Sequence, residues 1–72
     1  GHGVPKNMSE SVRLFRLAAN QGHDRAQYYL GKCYEQGEGV VKSIAEALRL
    51  YNLAAEQGHK DANLALDRLE FG

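Results

Sequence analysis

The sequence has few of the residues that stabilise small proteins through covalent or metal cross-links. Its single cysteine, Cys33, cannot form a disulfide within the chain, so packing alone must stabilise the fold. A lone cysteine also favours a reducing, cytoplasmic compartment over an oxidising one. No cluster of cysteine, histidine and carboxylate residues indicates a metal site, and no motif indicates a cofactor. The small disulfide-rich class of secreted domains is therefore excluded.

An excess of charge of one sign and long apolar runs are also missing. Nine basic and nine acidic residues give a formal net charge of zero, and they are interleaved, so no basic stripe indicates nucleic-acid binding. No apolar run approaches the roughly 20 residues needed to cross a bilayer, and no signal peptide opens the sequence. We expect a soluble domain that neither binds nucleic acid nor inserts into a membrane.

What the sequence does contain is one stretch that occurs twice. A shift of 36 positions superimposes GVPKNMSESVRLFRLAANQGHDRAQYYL (3–30) on GVVKSIAEALRLYNLAAEQGHKDANLAL (39–66). A fixed period of about 20 to 50 residues is typical of a solenoid, whose units bury their apolar faces against one another. Residues 1–6 match the linker at 37–42, so we expect a fragment of a longer array. The single domain 1–72 then holds one repeat at 7–36 and another at 43–72.

Each repeat is predicted to form a hairpin of two helices. Asn7 and Ser43 are each followed three residues later by a glutamate, the pattern of an N-cap with a capping box, so the first helices should start there. Glycines at Gly22 and Gly58 should end them. Apolar spacings of three and four residues predict second helices from about 24 to 36 and from about 60 to 70. The fold class is therefore all-α, an α-α superhelix of four helices.

The first helices carry an unusually wide apolar arc. In the first repeat it extends around one flank to Leu14 and Leu17, and Leu50 and Leu53 repeat this in the second. An arc of this width is expected of a helix that has neighbours on more than one side.

Many positions agree in register in both copies. The second copy has Ala47, Tyr51, Ala54-Ala55, Gly58 and Ala62, and the first has Phe15, Ala18-Ala19, Gly22, Ala26, Leu30-Gly31, Tyr34 and Gly37-Glu38-Gly39-Val40. This pattern resembles the Sel-one-like repeat, a relative of the tetratricopeptide repeat, over essentially the whole chain. The departures are Ser11 for alanine and Leu14 and Leu50 where tryptophan is common. The resemblance implies a non-catalytic adaptor or scaffold whose first helices line a concave surface for a peptide or protein partner.

The last helix also departs from the pattern. Asp67 and Glu70 stand where the first repeat has the close-packing Gly31 and the core residue Tyr34, which would make the outer side of this helix polar, as in a terminal cap. Leu64 and Phe71 lie on the back of the same helix and argue against a clean cap. Both alternatives stay open at the level of sequence.

The residues also indicate a binding surface. The polar positions of the first helices form a narrow strip in each repeat, and stacking places the two strips side by side. The combined surface is mostly basic and suits carboxylates on a partner, although a merely solvated face is the alternative. We call it the polar strip: Arg13, Arg16, Asn20, Arg49, Asn52 and Glu56.

A second hypothesis of a different class is self-association. About three repeats are needed for independent stability, two are present, and exposed apolar surface usually finds a partner. Such contacts would use Met8, Val12 and the flank of the first helix, or Leu64 and Phe71 of the last.

Catalytic and metal-binding interpretations are weaker than structural ones. His23 and His59 occupy the same position of the two repeats, too far apart to share an ion, and should cap the second helices or fill the turn. Cys33 lies in an apolar stripe and should pack in the core. No nucleophile stands beside a base, so no enzyme is predicted.

Two further features have both a functional and a structural interpretation. Glu35 and Glu38 could be paired carboxylates, but they flank a glycine turn, so a solvated loop is expected. Tyr28 could bind a partner, although Leu64 at the same repeat position favours packing against the next unit.

Overall fold

The computed structural model describes the backbone of residues 4–71 and the side chains of residues 8–71. Four helices follow one another: α1 (Val4–Asn20), α2 (Asp24–Gln36), α3 (Ile44–Glu56) and α4 (Lys60–Phe71). Residues 4–71 contain no strand, and none of their helices has the length and hydropathy needed to cross a membrane. The predicted all-α class is confirmed.

The two first helices start differently. The Ser43 side chain accepts a hydrogen bond from the Glu46 backbone N–H at 3.2 Å and caps α3, as predicted. In contrast, α1 begins at Val4 and includes Asn7, so the prediction that a helix starts at Asn7 is wrong. The first copy has Pro5 where the second has Val41. Because proline fixes a helical φ and needs no N–H partner in the first turn, the helix extends into the segment that stays irregular in the second copy.

The same turn closes both hairpins. Gly22 and Gly58 have φ angles of 91° and 88°, in the left-handed region where glycine is favoured, and they follow the ends of α1 and α3 as predicted. After each glycine the chain folds back, and the backbone N–H groups of His23 and His59 donate to the Ala18 and Ala54 carbonyls, each at 3.2 Å.

The helices pack in series. α2 contacts both α1 and α3, and α3 contacts both α2 and α4. Leu50 of α3 lies in the first core cluster, so this cluster extends across the repeat boundary, and Tyr34 packs against both clusters. The first cluster is Val12, Ala19, Ala26, Leu30, Cys33 and Leu50. The second is Ala47, Tyr51, Ala54, Ala62, Ala65 and Leu66.

One flank of α1 is uncovered. Leu14 and Leu17, predicted to belong to the apolar arc, are 53% and 52% exposed, whereas Leu50, the counterpart of Leu14, is 3% exposed. The difference follows from packing, because Leu50 lies in the cluster with residues of α1 and α2, whereas Leu14 belongs to neither core cluster.

Candidate partner-binding surface

All six residues of the polar strip are exposed. The two halves of the strip are close in space, because Arg16 of α1 lies near Glu46 of α3. The pKa of Glu46 is below its usual 4.5, mainly because Arg49 hydrogen-bonds it, and Arg16 adds a smaller electrostatic contribution. The strip therefore continues from the first repeat to the second.

The surface is less basic than the strip residues alone suggest. Arg13 forms an ion pair with Glu10, and Arg49 forms one with Glu46, each three positions away on the same helix. These hydrogen-bonded arginines lower the pKa of both glutamates. With Glu56 included, three arginines face three glutamates, and the formal charge of the region is zero. Two of the three arginines are thus already engaged with carboxylates, in exposed pairs that contribute little to stability.

Arg16 differs from the other two arginines. It donates a hydrogen bond to the Tyr34 hydroxyl at 2.8 Å, and its guanidinium carbon lies 5.7 Å from the centre of the Tyr34 ring. The partner is a neutral phenol, and Arg16 forms no ion pair among residues 8–71. Its counterpart in α3 is Asn52, which donates to the Leu48 carbonyl of its own helix at 2.9 Å. The two repeats therefore present different chemistry at this position.

Asn20 and Glu56 are counterparts at the ends of α1 and α3. Both are exposed, and neither side chain forms a hydrogen bond within the described residues. They border the strip beside the turns.

Sequence reasoning missed a polar contact that links three helices. Tyr51 of α3 donates to Glu35 Oε1 at 2.7 Å, and Arg68 of α4 donates to both oxygens of Glu35 at 2.5 and 3.0 Å. The Glu35 side chain is only 14% exposed, so the expectation of a solvated carboxylate is wrong. The contact could not be inferred from the repeat, because the other copy has different residues at these three positions. Glu35 corresponds to Phe71, Tyr51 to Phe15 and Arg68 to Lys32.

The protonation of this group follows from its contacts. The Arg68 hydrogen bond lowers the pKa of Glu35 below its usual 4.5, against the opposing effect of burial. Burial raises the pKa of Tyr51, and the hydrogen bond to the Glu35 carboxylate raises it further, because the phenol must keep its proton to donate. Glu35 therefore bears its charge, and Tyr51 its proton, at neutral pH.

The remaining candidates have structural roles. His59 Nδ1 accepts from the Ala62 backbone N–H at 3.1 Å and caps α4 as predicted, whereas His23 precedes α2 without such a bond. Tyr28 stacks on His59 with ring centroids 4.8 Å apart, which confirms packing between units. Cys33 is buried, as predicted, and burial raises the pKa of its thiol. In residues 8–71, no three His, Cys, Asp or Glu side chains converge to hold a metal.

A family model described as Sel1 repeat matches residues 1–23 and 24–59. The chain belongs to the Sel1 repeat family. The second matched segment spans α2 and α3 and has the length of the repeat period. Sel1 repeats are helical repeats that typically mediate protein–protein interaction and are generally non-catalytic.

A solved structure is similar to this Sel1 repeat chain as well. The crystal structure of a Sel1 repeat protein from Oxalobacter formigenes matches with a TM-score of 0.83 and 38% identity over 85% of the present chain. The match includes 25% of that protein, so the present chain corresponds to about a quarter of its length. No curated protein matches the sequence significantly. These similarities support the repeat solenoid.

Proposed function

We propose that this Sel1 repeat chain is a non-catalytic adaptor that binds a peptide or protein partner on the polar strip of α1 and α3. The observation that carries the proposal is the position of Arg16. This exposed cation lies where the two repeats meet and bonds a neutral hydroxyl, whereas Arg13 and Arg49 already pair with glutamates.

The chemistry of Arg16 favours an acidic group on the partner. A guanidinium can bind a carboxylate through two parallel hydrogen bonds, which a phenol cannot match. A carboxylate arriving at Arg16 would replace or share the Tyr34 contact without breaking an ion pair. The partner is therefore a segment with at least one Asp, Glu or terminal carboxylate, bound on the polar strip at Arg16.

The test is selection from a random peptide library displayed on phage, followed by affinity measurement with the synthetic selected peptides. We expect the selected peptides to share an acidic residue. Arg16→Glu should weaken their binding by tenfold or more, since a lost charge-assisted hydrogen bond and a new repulsion together exceed the roughly 1.4 kcal/mol that corresponds to tenfold. Arg16→Gln, which keeps a donor, should weaken binding less.

Arg25→Glu is the matched control, because Arg25 is an exposed arginine of α2 outside the strip. It should leave affinity unchanged, and circular dichroism should show equal helicity for all variants. Reversal of Arg13 or Arg49 is a less clean test, because each new glutamate would face Glu10 or Glu46. Peptides without a shared acidic residue, or equal binding by Arg16→Glu and wild type, would contradict the proposal.

A further inference from the structure

The contact between the two repeats depends on a glycine. Tyr51 of α3 is completely buried and lies against Gly31 of α2. A Cβ atom at Gly31 would be 2.8 and 2.9 Å from two carbons of the Tyr51 ring, closer than carbon atoms pack. Only glycine therefore permits α3 to approach α2 as closely as it does.

The repeat period shows which surface of α1 corresponds to this contact. Phe15 is the counterpart of Tyr51, and Leu14 is the counterpart of Leu50. Phe15 is half-buried against the first cluster and stacks on Tyr29 with ring centroids 5.6 Å apart. α1 thus repeats the aromatic and leucine positions that α3 uses in its contact with α2. Leu14 is 53% exposed, whereas Leu50 is 3% exposed. The outer face of α1 therefore continues an interface that the molecule already contains, and it suits a helix with the properties of α2.

The outer face of α4 is only partly equivalent to that of α2. The residues around Leu50 in the first cluster include Val12, Leu30 and Cys33, and their counterparts are all apolar: Leu48, Leu66 and Leu69. The position of Gly31, however, is occupied by Asp67. A side chain there would collide with the aromatic residue of an incoming unit, and its carboxylate would lose water against the ring without a partner.

We propose that Asp67 makes the two ends of this solenoid unequal. A further helix hairpin can pack on the outer face of α1 if its second helix has glycine at the Gly31 position. A further hairpin cannot pack in the same way on the outer face of α4. Two copies of the chain therefore do not stack end to end in the register of the repeat. The only second-helix face that a copy exposes is that of α4, because α3 covers the corresponding face of α2.

The test compares two extended chains of equal length. In one, residues 1–36 are duplicated in front of the chain, so the new junction presents Gly31 to Phe15. In the other, residues 37–72 are duplicated behind it, so the new junction presents Asp67 to a second Tyr51. Because stacked repeats stabilise one another through nearest-neighbour interfaces, the first should raise the midpoint of thermal unfolding by about 5 °C or more. The second should give no increase.

Two variants of the second chain isolate Asp67. Asp67→Gly should recover part of the increase after correction for the same change in the 72-residue chain. The rest stays lost, because Phe71 stands where Glu35 accepts the hydrogen bond of the Tyr51 hydroxyl. Asp67→Ala, which removes the charge and keeps Cβ, should recover little. Equal stabilisation by both unmodified extensions, no stabilisation by the first, or no recovery with Asp67→Gly would each overturn the proposal. Full recovery with Asp67→Ala would also do so, because the steric part of the argument would then fail.

Discussion

At the scale of single residues, the close contact of Gly31 with Tyr51 gives the clearest prediction. Gly31→Ala should destabilise the protein by about 1–3 kcal/mol, because a methyl group must enter a filled space. This figure is the net loss, because the steric cost must also exceed the roughly 1 kcal/mol that alanine gains over glycine in helix propensity. Urea unfolding followed by circular dichroism measures the change.

The control for this substitution is Asp67→Ala in the same 72-residue chain. Asp67 is the exposed counterpart of Gly31. The Asp67→Ala variant should therefore lose no more than about 0.5 kcal/mol of unfolding free energy, and the higher helix propensity of alanine can make it slightly more stable than wild type. A Gly31→Ala protein more stable than wild type by the full helix-propensity gain of about 1 kcal/mol would mean that Tyr51 can move away at no cost.

Residue-scale contacts were only partly predictable. Burial of Cys33 follows from the apolar periodicity, and packing of Tyr28 follows from the leucine at the same position of the second repeat; both are confirmed. The contact of Glu35 with Tyr51 and Arg68 occurs once in the chain, so the repeat contains no second copy of it. Such a contact depends on the distance between helices, which no spacing along the sequence encodes.

At the scale of elements, α4 depends on two attachments. It packs on α3, and Arg68 joins it to Glu35 of α2. Since the pKa of Glu35 is lowered in the folded protein, this contribution to stability is present above the unfolded value near 4.5 and is lost as the pH falls through the lower folded value. Wild-type protein should therefore lose more stability between about pH 6 and pH 3 than Glu35→Gln does.

Urea unfolding at several pH values measures this difference, which should be about 1 kcal/mol or less because Arg68 is largely exposed. Glu10 and Glu46 also have lowered pKa values, but both remain in the variant and cancel in the comparison. Glu38→Gln is the matched control, an exposed glutamate in the following loop, and it should keep the wild-type pH dependence. Identical pH profiles for wild type and Glu35→Gln would show that the contact does not stabilise the fold.

The limits of the helices were largely predictable. The capping pattern at Ser43 and the glycine turns locate their boundaries, because caps and left-handed residues act locally. The start of α1 was not predictable from these signals. The same capping pattern occurs at Asn7, but Pro5 allows the helix to start earlier. Local signals that point to two starting positions do not decide between them.

At the scale of the whole molecule, the two repeats should unfold as one unit. Tyr34 packs against both core clusters, and Leu50 places a residue of the second repeat in the cluster of the first. Loss of either repeat therefore exposes apolar surface of the other. We expect the loss of helicity in urea to coincide with the gain in reactivity of Cys33 toward a thiol reagent, because this thiol is buried in the first cluster. Separate midpoints would show that the repeats unfold independently.

The order of the helices was the most predictable property of the molecule, because two copies of one pattern constrain each other. The charge balance of the polar strip was less predictable from the sequence. It depends on the pairing of Arg13 with Glu10 and of Arg49 with Glu46, and the strip as read from the sequence counted the arginines without those glutamates.

The most extensive helix–helix interface lies between α2 and α3, on the boundary of the two repeats rather than inside either one. The sequence repeat, which pairs α1 with α2 and α3 with α4, is therefore not the pair of helices that we expect to fold first. The connection between α2 and α3, residues 37–43, is longer than the turns at 21–23 and 57–59 inside the repeats, but loop-closure entropy costs only about 0.6 kcal/mol for each doubling of loop length. The larger interface therefore outweighs the longer loop in forming a folding nucleus. We expect folding to begin at this central hairpin, with α1 and α4 adding to it from opposite sides.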